Sequence, residues 1–206
     1  MIFLIILILE KYNHFILCGR YSLNLEGSQS EFKPDTITNN KEIFSFNNPD
    51  ISPSSLSPII FRNEKKYDFE ISKWGFSFDW LPKGRVLFNI RSETIDQKSF
   101  SKEILKSQRC IIPFSSYFEW QADEENKKKK YKIFTKDNIS YFGGIYLENK
   151  AHKYFSIITT SSRDNIAHIH KRNPLIIAKN KITRWFSTEY DEFLFNKDVE
   201  LNFEGS

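Results

Sequence analysis

From Arg109 to Trp120 the chain reads RCIIPFSSYFEW. Arg109 to Pro113 and Tyr117 to Trp120 are short runs of β-branched and aromatic residues, and both read as strands. The pattern repeats outward. Ala122 to Lys130 (ADEENKKKK) is a charged tip, after which Tyr131 to Thr135 and Ile139 to Tyr146 resume strand character. Tyr154 to Thr159 is a further β-rich run, and Leu175 to Ile177 another short one. Towards the N-terminus, Phe69 to Trp80 alternates in part and carries two tryptophans, and Val86 to Ile90 is a short apolar run. Asn47 to Ile60 (NNPDISPSSLSPII) holds Pro49, Pro53 and Pro58, which predicts an extended, irregular segment unable to join a central ladder at those points. Helical spacing is confined to Ser99–Ser107, to Ser162–His170, to a closing segment from Ile182 to Phe195, and to a short helix among the polar loops of Gly27 to Asn48. Many short strands with few helices predict an α+β fold built on curved antiparallel sheet.

Composition fits that reading. A chain of 206 residues suits one domain and buries roughly 70% of its unfolded surface, so no disulfide or metal staple is required. Phe occurs 20 times against a single Met, which leans towards sheet rather than a helical bundle. The net charge of +4 permits a nucleic-acid partner without demanding one. Cys18 and Cys110 are too few for a disulfide scaffold or a structural zinc site and suit a reducing, cytosolic setting. Met1 to Leu9 is wholly apolar, but nine residues cannot span a bilayer, which needs about 20, and the features of a signal peptide are missing. The segment reads either as a buried strand or as an extension that the working protein does not carry. Lys127 to Lys130 could grip phosphate, but the commoner fate of such a run is a solvated hairpin tip.

Four separated segments hold polar residues in apolar settings: Cys18-Gly19-Arg20-Tyr21; Asn89 to Thr94; Arg109 to Pro113 running on to Tyr117-Phe118-Glu119-Trp120; and Ile169 to Pro174. Singly they are weak. Together, in this order, they resemble the SRAP (SOS response-associated peptidase) family, whose members shield abasic sites in single-stranded DNA. The matching residues are Cys18, Gly19, Arg20 and Tyr21; Asn89, Arg91, Glu93 and Thr94; Arg109, Cys110, Ile111, Pro113, Glu119 and Trp120; and Thr159, Thr160, Ile169, His170, Arg172 and Pro174, with Trp74-Gly75 and Pro53-Ser54 in family order. The resemblance runs from about Cys18 to Trp185. It implies an SRAP-like single domain, 18–206, with a barrel-like core flanked by a few short helices.

The resemblance also implies a mechanism. The α-amine and thiol of an N-terminal Cys18 would condense with the aldehyde of the open sugar and close a five-membered thiazolidine. An α-amine pKa near 8 leaves a useful neutral fraction. Glu119, in an aromatic neighbourhood, would carry protons; His170 would help to open the sugar and, in reverse, release the crosslink; Asn89 would hold the sugar or the cysteine. Arg20, Arg91 and Arg172 would contact phosphates, and Trp74 would stack on a base. Trp74 could equally be core, Arg172 a structural ion pair, and Cys110 reads as buried packing. The expected enzyme is an SRAP-type abasic-site crosslinking and lyase protein with cysteine autopeptidase activity. It is expected to be monomeric and cytoplasmic, associated with the nucleoid when on DNA, with no membrane partner and no metal or cofactor.

Leu17 stands before Cys18, and an amide nitrogen cannot form an imine. Residues 1–17 therefore read as a start-site artefact, since leucine's TTG codon also serves as a bacterial start, or as a leader removed by processing. Smaller departures are Asn173 in place of Met, Phe118 before Glu119 where Tyr is frequent, and Ser115-Ser116 in place of Asp-Gly, which puts the local turn in doubt. Two other readings compete. One is a non-covalent single-stranded DNA binder with a blocked Cys18, and the other a cysteine peptidase using Cys18 and His170.

Overall fold

The computed structural model describes residues 19–206 apart from 29–36, 39–40, 65, 96–98, 123–126, 150–151, 164, 188–189, 196 and 206. The readings made for residues 1–17 and for Cys18 lie outside the described residues. The strands, in chain order, are β1 Arg20–Asn24, β2 Ile37–Thr38, β3 Asn47–Ile51, β4 Leu56–Asn63, β5 Lys66–Trp74, β6 Asn89–Arg91, β7 Arg109–Phe114, β8 Ser116–Ala122, β9 Lys128–Phe134, β10 Ser140–Glu148, β11 Lys153–Ser161, β12 Arg172–Pro174, β13 Ile176–Ile177 and β14 Asn202–Gly205. Helices are short: Ser92–Ile95, Ser99–Ser107 and Ile182–Trp185, with 3-10 turns at Lys41–Ser45, Lys179–Lys181 and Tyr190–Phe193. Curved sheets flanked by a few short helices are present as expected, and strands dominate the fold.

Two sheets divide the strands. In the larger, β11, β10, β7, β4 and β5 follow one another, and a parallel pairing of β5 with β11 closes them into a ring. The closure sits at Tyr154 opposite Lys73 and Phe155 opposite Trp74. Gly75 makes it possible. Its φ is +108°, its amide donates to the Phe155 carbonyl at 2.7 Å, and a Cβ there would stand 2.6 Å from Val86 Cγ2. The second sheet runs β14-β9-β8-β1-β3, antiparallel throughout. Its inner face, with Tyr21, Leu23, Tyr117 and Ile133, is fully buried. Tyr21 meets Trp74 edge-on at 5.1 Å and Phe142 at 5.6 Å, while Phe114 stacks on Phe142 at 3.8 Å. No helix among the described residues is long and apolar enough to cross a membrane.

Three local expectations are corrected. Asn47 to Ile60 is irregular only at 52–55, the turn that holds Pro53; the rest supplies β3 and the start of β4. Pro49 lies on the edge strand β3. Pro58 lies outside the stretch where β4 pairs with β7, which the register gives as Ile60 and Phe61, so its missing N–H leaves no central ladder bond unmade. Ser162–His170 forms turns rather than a helix. Ser162 N–H donates to the Lys171 carbonyl at 3.0 Å, folding the segment back on itself before a helix can propagate. The closing segment is a single turn at Ile182–Trp185 followed by a separate 3-10 turn. There the buried Arg109 takes the carbonyls of Trp185 and Ser187, each at 2.8 Å, and diverts the chain.

Trp74 has 0% exposure, packs against Tyr21, Phe88 and Phe155, and donates its indole N–H to the Phe88 carbonyl at 2.9 Å. Truncating it removes the joint between ring closure and second sheet. Trp74→Ala is expected to lower unfolding stability by about 3–5 kcal/mol, read as the shift in urea midpoint. Trp80→Ala, at a tryptophan with 49% exposure, is expected to stay within about 0.5 kcal/mol of the parent protein.

Candidate active site

The site residues gather where the ends of β6, β11 and β12 meet the flank of β8. Asn89 and Arg91 bracket the short strand β6, which runs parallel to β11 with Asn89 opposite Ile157 and Arg91 opposite Thr159. The chain then turns into the helix Ser92–Ile95, carrying Glu93 in its first turn. Arg172 starts β12, opposite Ser161 of β11. Its two terminal nitrogens donate to the two Glu93 carboxylate oxygens, both at 2.8 Å, and one donates again to the Thr159 carbonyl at 2.8 Å. This fork ties β6, β11, β12 and the helix together. Burial alone would raise the Glu93 pKa. The Arg172 hydrogen bond and the Arg172 and Arg91 charges outweigh it, so the carboxyl is held below its ordinary range.

His170 precedes β12, and its ring is oriented by backbone. Nδ1 lies 3.1 Å from the Arg172 carbonyl and 3.2 Å from the Arg172 amide nitrogen. Burial, with the nearby Arg172 charge, lowers its pKa below the ordinary 6.5 despite that backbone bond, so the imidazole is neutral at pH 7. The loop that carries His170 leans on β8. Gln121 donates from Nε2 to the His168 carbonyl at 2.9 Å and is itself held by the Tyr131 hydroxyl at 3.0 Å. Further back in the loop, Arg163 interacts electrostatically with Tyr117. Tyr117, Glu119 and Gln121 share one face of β8, since side chains alternate along a strand. Glu119, 2% exposed, therefore stands between the two points where the His170 loop meets β8.

Arg20 opens β1 and lies opposite Phe118. The start of β1 is thus beside Glu119. In sequence, Cys18 stands two residues before Arg20. Arg20 is exposed and ion-paired with Asp50.

The structure brings Asn89, Arg91, His170 and Arg172 to one end of the ring, with Glu119 and Arg20 on the adjoining strands. It removes Trp74 from the candidates: with no exposure and aromatic neighbours around it, the ring has no face for a base. Arg172 resolves as a structural ion pair, its side chain 15% exposed and both terminal nitrogens committed to Glu93. Arg109 is structural too, donating to carbonyls at the end of the helix Ser99–Ser107. Cys110 is a buried free thiol whose pKa burial pushes well up, which makes it unreactive. Two residues outside the sequence-derived set stand out in the structure. Trp80 is exposed and stacks on Phe78 at 5.2 Å. Its turn-forming successors, Leu81-Pro82-Lys83-Gly84, were the available signal. Arg163 is 6% exposed, and its guanidinium has no hydrogen-bond partner among the described residues. Nothing in its sequence context marks it.

The family model for SOS response associated peptidase (SRAP) matches residues 17–198. Among similar proteins, the abasic site processing protein YobE of Bacillus subtilis is 31% identical over 182 residues, 83% of this chain and 82% of that protein. The abasic site processing protein YoaM of the same organism is 27% identical over 66% of this chain, which spans 64% of its length. The abasic site processing protein HMCES of Rattus norvegicus is 25% identical over 65% of this chain, which spans 51% of its length. In fold, the chain is similar to a crystal structure of a protein from Bacteroides thetaiotaomicron, with a TM-score of 0.74, 22% identity and 91% of each chain covered. A phage-related protein from Bordetella bronchiseptica gives a TM-score of 0.71 at 17% identity, over 92% of this chain and 94% of that one.

The His170 environment sets a pH dependence of stability. A depressed folded pKa means that, as pH falls below 6.5, the unfolded chain takes up the proton first and folding weakens until the folded pKa is reached. His170→Gln is expected to shrink the stability lost between about pH 7.5 and about pH 5.5, measured by urea unfolding at each pH. An unchanged loss would place the acid sensitivity elsewhere.

Proposed function

This chain belongs to the SOS response associated peptidase (SRAP) family, and on that premise we propose that it acts on abasic sites in single-stranded DNA, capturing them covalently through Cys18. The observation that carries the reading is the placement of a buried carboxyl, Glu119, beside the strand that starts two residues after Cys18, with the His170 loop braced on the same strand. The names of the similar proteins, abasic site processing proteins, support the substrate class.

The chemistry requires Cys18 to bear a free α-amine, reached by initiation at that point or by hydrolysis of the Leu17–Cys18 bond. The amine nitrogen attacks the sugar aldehyde carbon, forming a C–N bond. The carbinolamine then loses water to give an imine. The thiol adds across C=N, sulfur to carbon and its proton to nitrogen, and closes the thiazolidine. The net change is one water released. Glu119 moves protons at the nitrogen and the departing hydroxyl. The neutral His170 imidazole serves sugar ring opening and the reverse reaction, with its Nδ1 engaged by backbone and proton transfer assigned to Nε2. Asn89 holds the sugar. Arg20 and Arg91 take phosphates, Arg20 by exchanging its exposed pair with Asp50. The base-stacking role passes from Trp74 to Trp80, which has the accessible face.

A protein starting Met-Cys18 is expected to form a heat-stable adduct with an abasic single-stranded oligonucleotide, and Cys18→Ala to form none. Glu119→Gln is expected to slow adduct formation by about 10²–10⁴-fold, and Trp80→Ala to weaken binding by about 1–3 kcal/mol. The assay is a denaturing gel with intact-mass confirmation of one water lost. Binding without any adduct would replace the covalent reading by a non-covalent one.

A further inference from the structure

The outward face of the second sheet carries cations and aromatic rings in register. Arg20 lies opposite Phe118, and Phe118 opposite Lys132. The next row pairs Trp120 with Lys130, and the one after it Ala122 with Lys128. Alternation puts these side chains on the face away from Tyr117, Glu119, Tyr131 and Ile133, which are buried. Lys130 Nζ stands 4.1 Å from the Phe118 ring centre and 5.9 Å from that of Trp120. The rings thus form a half-buried floor, with ammonium groups above it.

We propose that this face is a docking track for the single-stranded DNA that flanks the lesion, a reading that rests on the proposed abasic-site function. Charge complementarity argues for a polyanion. Arg20, Lys128, Lys130 and Lys132 face the same side, and two of their counterions are exposed carboxylates: Asp50 on Arg20 and Glu204 on Lys132, the latter at 2.9 Å. Exposed pairs of this kind contribute about 0–1 kcal/mol and exchange readily for phosphate. Lysines two residues apart along β9 recur about every 6.8 Å, a step comparable to that between phosphates of an extended strand. The aromatic floor favours a single strand over a duplex. When Lys130 moves to a phosphate it uncovers Phe118 and Trp120, whose faces only unpaired bases can use. Glu119 lies between Phe118 and Trp120 on β8 and faces the other side of the sheet, and the link between the two faces is Arg20, which opens β1 opposite Phe118.

The experiment uses the protein starting Met-Cys18, with Lys128→Gln, Lys130→Gln and Lys132→Gln combined, and a lesion-free single-stranded oligonucleotide. The slope of log affinity against log salt is expected to fall by about 0.7 per lysine, about 2 for the triple change. A control with Lys66→Gln, Lys73→Gln and Lys102→Gln, exposed lysines elsewhere, is expected to keep the slope. A slope unchanged in the first variant, or reduced equally in the control, overturns the proposal. So does tighter binding of blunt duplex than of single strand that is lost in the same variant. A correct urea midpoint certifies folding, and restoring Lys130 alone is expected to recover about a third of the lost slope. Adduct formation at saturating abasic DNA is read in parallel. If it persists while the slope is unaffected, the track fails and the reaction site stands. If no adduct forms but the slope depends on these lysines, the track stands and the covalent reading fails.

Discussion

The packing of Trp74 against Phe155 and Tyr21 is the contact on which the architecture turns. The parallel pairing that closes the ring is short, joining Tyr154–Phe155 to Lys73–Trp74. So short a ladder cannot hold a ring shut by itself. Burial of a large indole adds hydrophobic and edge-to-face aromatic stabilisation at that point. Tyr21, on the neighbouring sheet, meets both Trp74 and Phe142. The same cluster therefore closes the ring and fastens the second sheet to it. That sheet carries Glu119 and the start of β1, whereas β6 and β12, with His170 just before β12, are attached to the ring through β11. Aromatic packing, together with the Gln121–His168 hydrogen bond, holds the two halves of the candidate site in their relative places.

Much of the fold was legible because periodicity and composition are local. The spacing of Ile104 and Leu105 gave Ser99–Ser107 with both of its observed ends, and the β-branched and aromatic runs gave β7 to β11. The failures have non-local causes. The proline stretch was misread because Pro49 and Pro58 forbid only particular ladder bonds, and sequence does not say on which side a strand is paired. The segment Ser162–His170 has helical marks at Ile166 and Ile169, but its ends are drawn together by Ser162 and Lys171. At the site, the motif residues were legible as a set. Which arginine is structural was not. Arg172 and Arg20 look alike in sequence, yet one meets a carboxylate fork from a helix 79 residues away and the other reaches solvent. The two tryptophans of Phe69 to Trp80 differ in the same way. One ends a strand beside a glycine that permits close packing, and the other sits in a turn.

The order and geometry of YFEWQ on β8 then decide what each face can do. Tyr117, Glu119 and Gln121 point towards the ring and the His170 loop, while Phe118 and Trp120 point outward beneath the lysines. A slip of one residue would exchange the two sets, exposing the carboxyl and burying the rings. The register is pinned at the start of the strand. Ser115 N–H donates to the Ser22 carbonyl at 2.8 Å, Ser115 Oγ accepts from the Asn24 amide at 3.1 Å, and the Ser22 and Ser116 hydroxyls meet at 2.7 Å. The serine pair that replaces Asp-Gly does not need a left-handed conformation, because neither serine has a positive φ. Its hydroxyls instead lock β8 to β1. The substitution that put the turn in doubt is thus a reason for the carboxyl to face inward, and the side of the sheet on which Glu119 lies follows from a hydroxyl contact three residues before it.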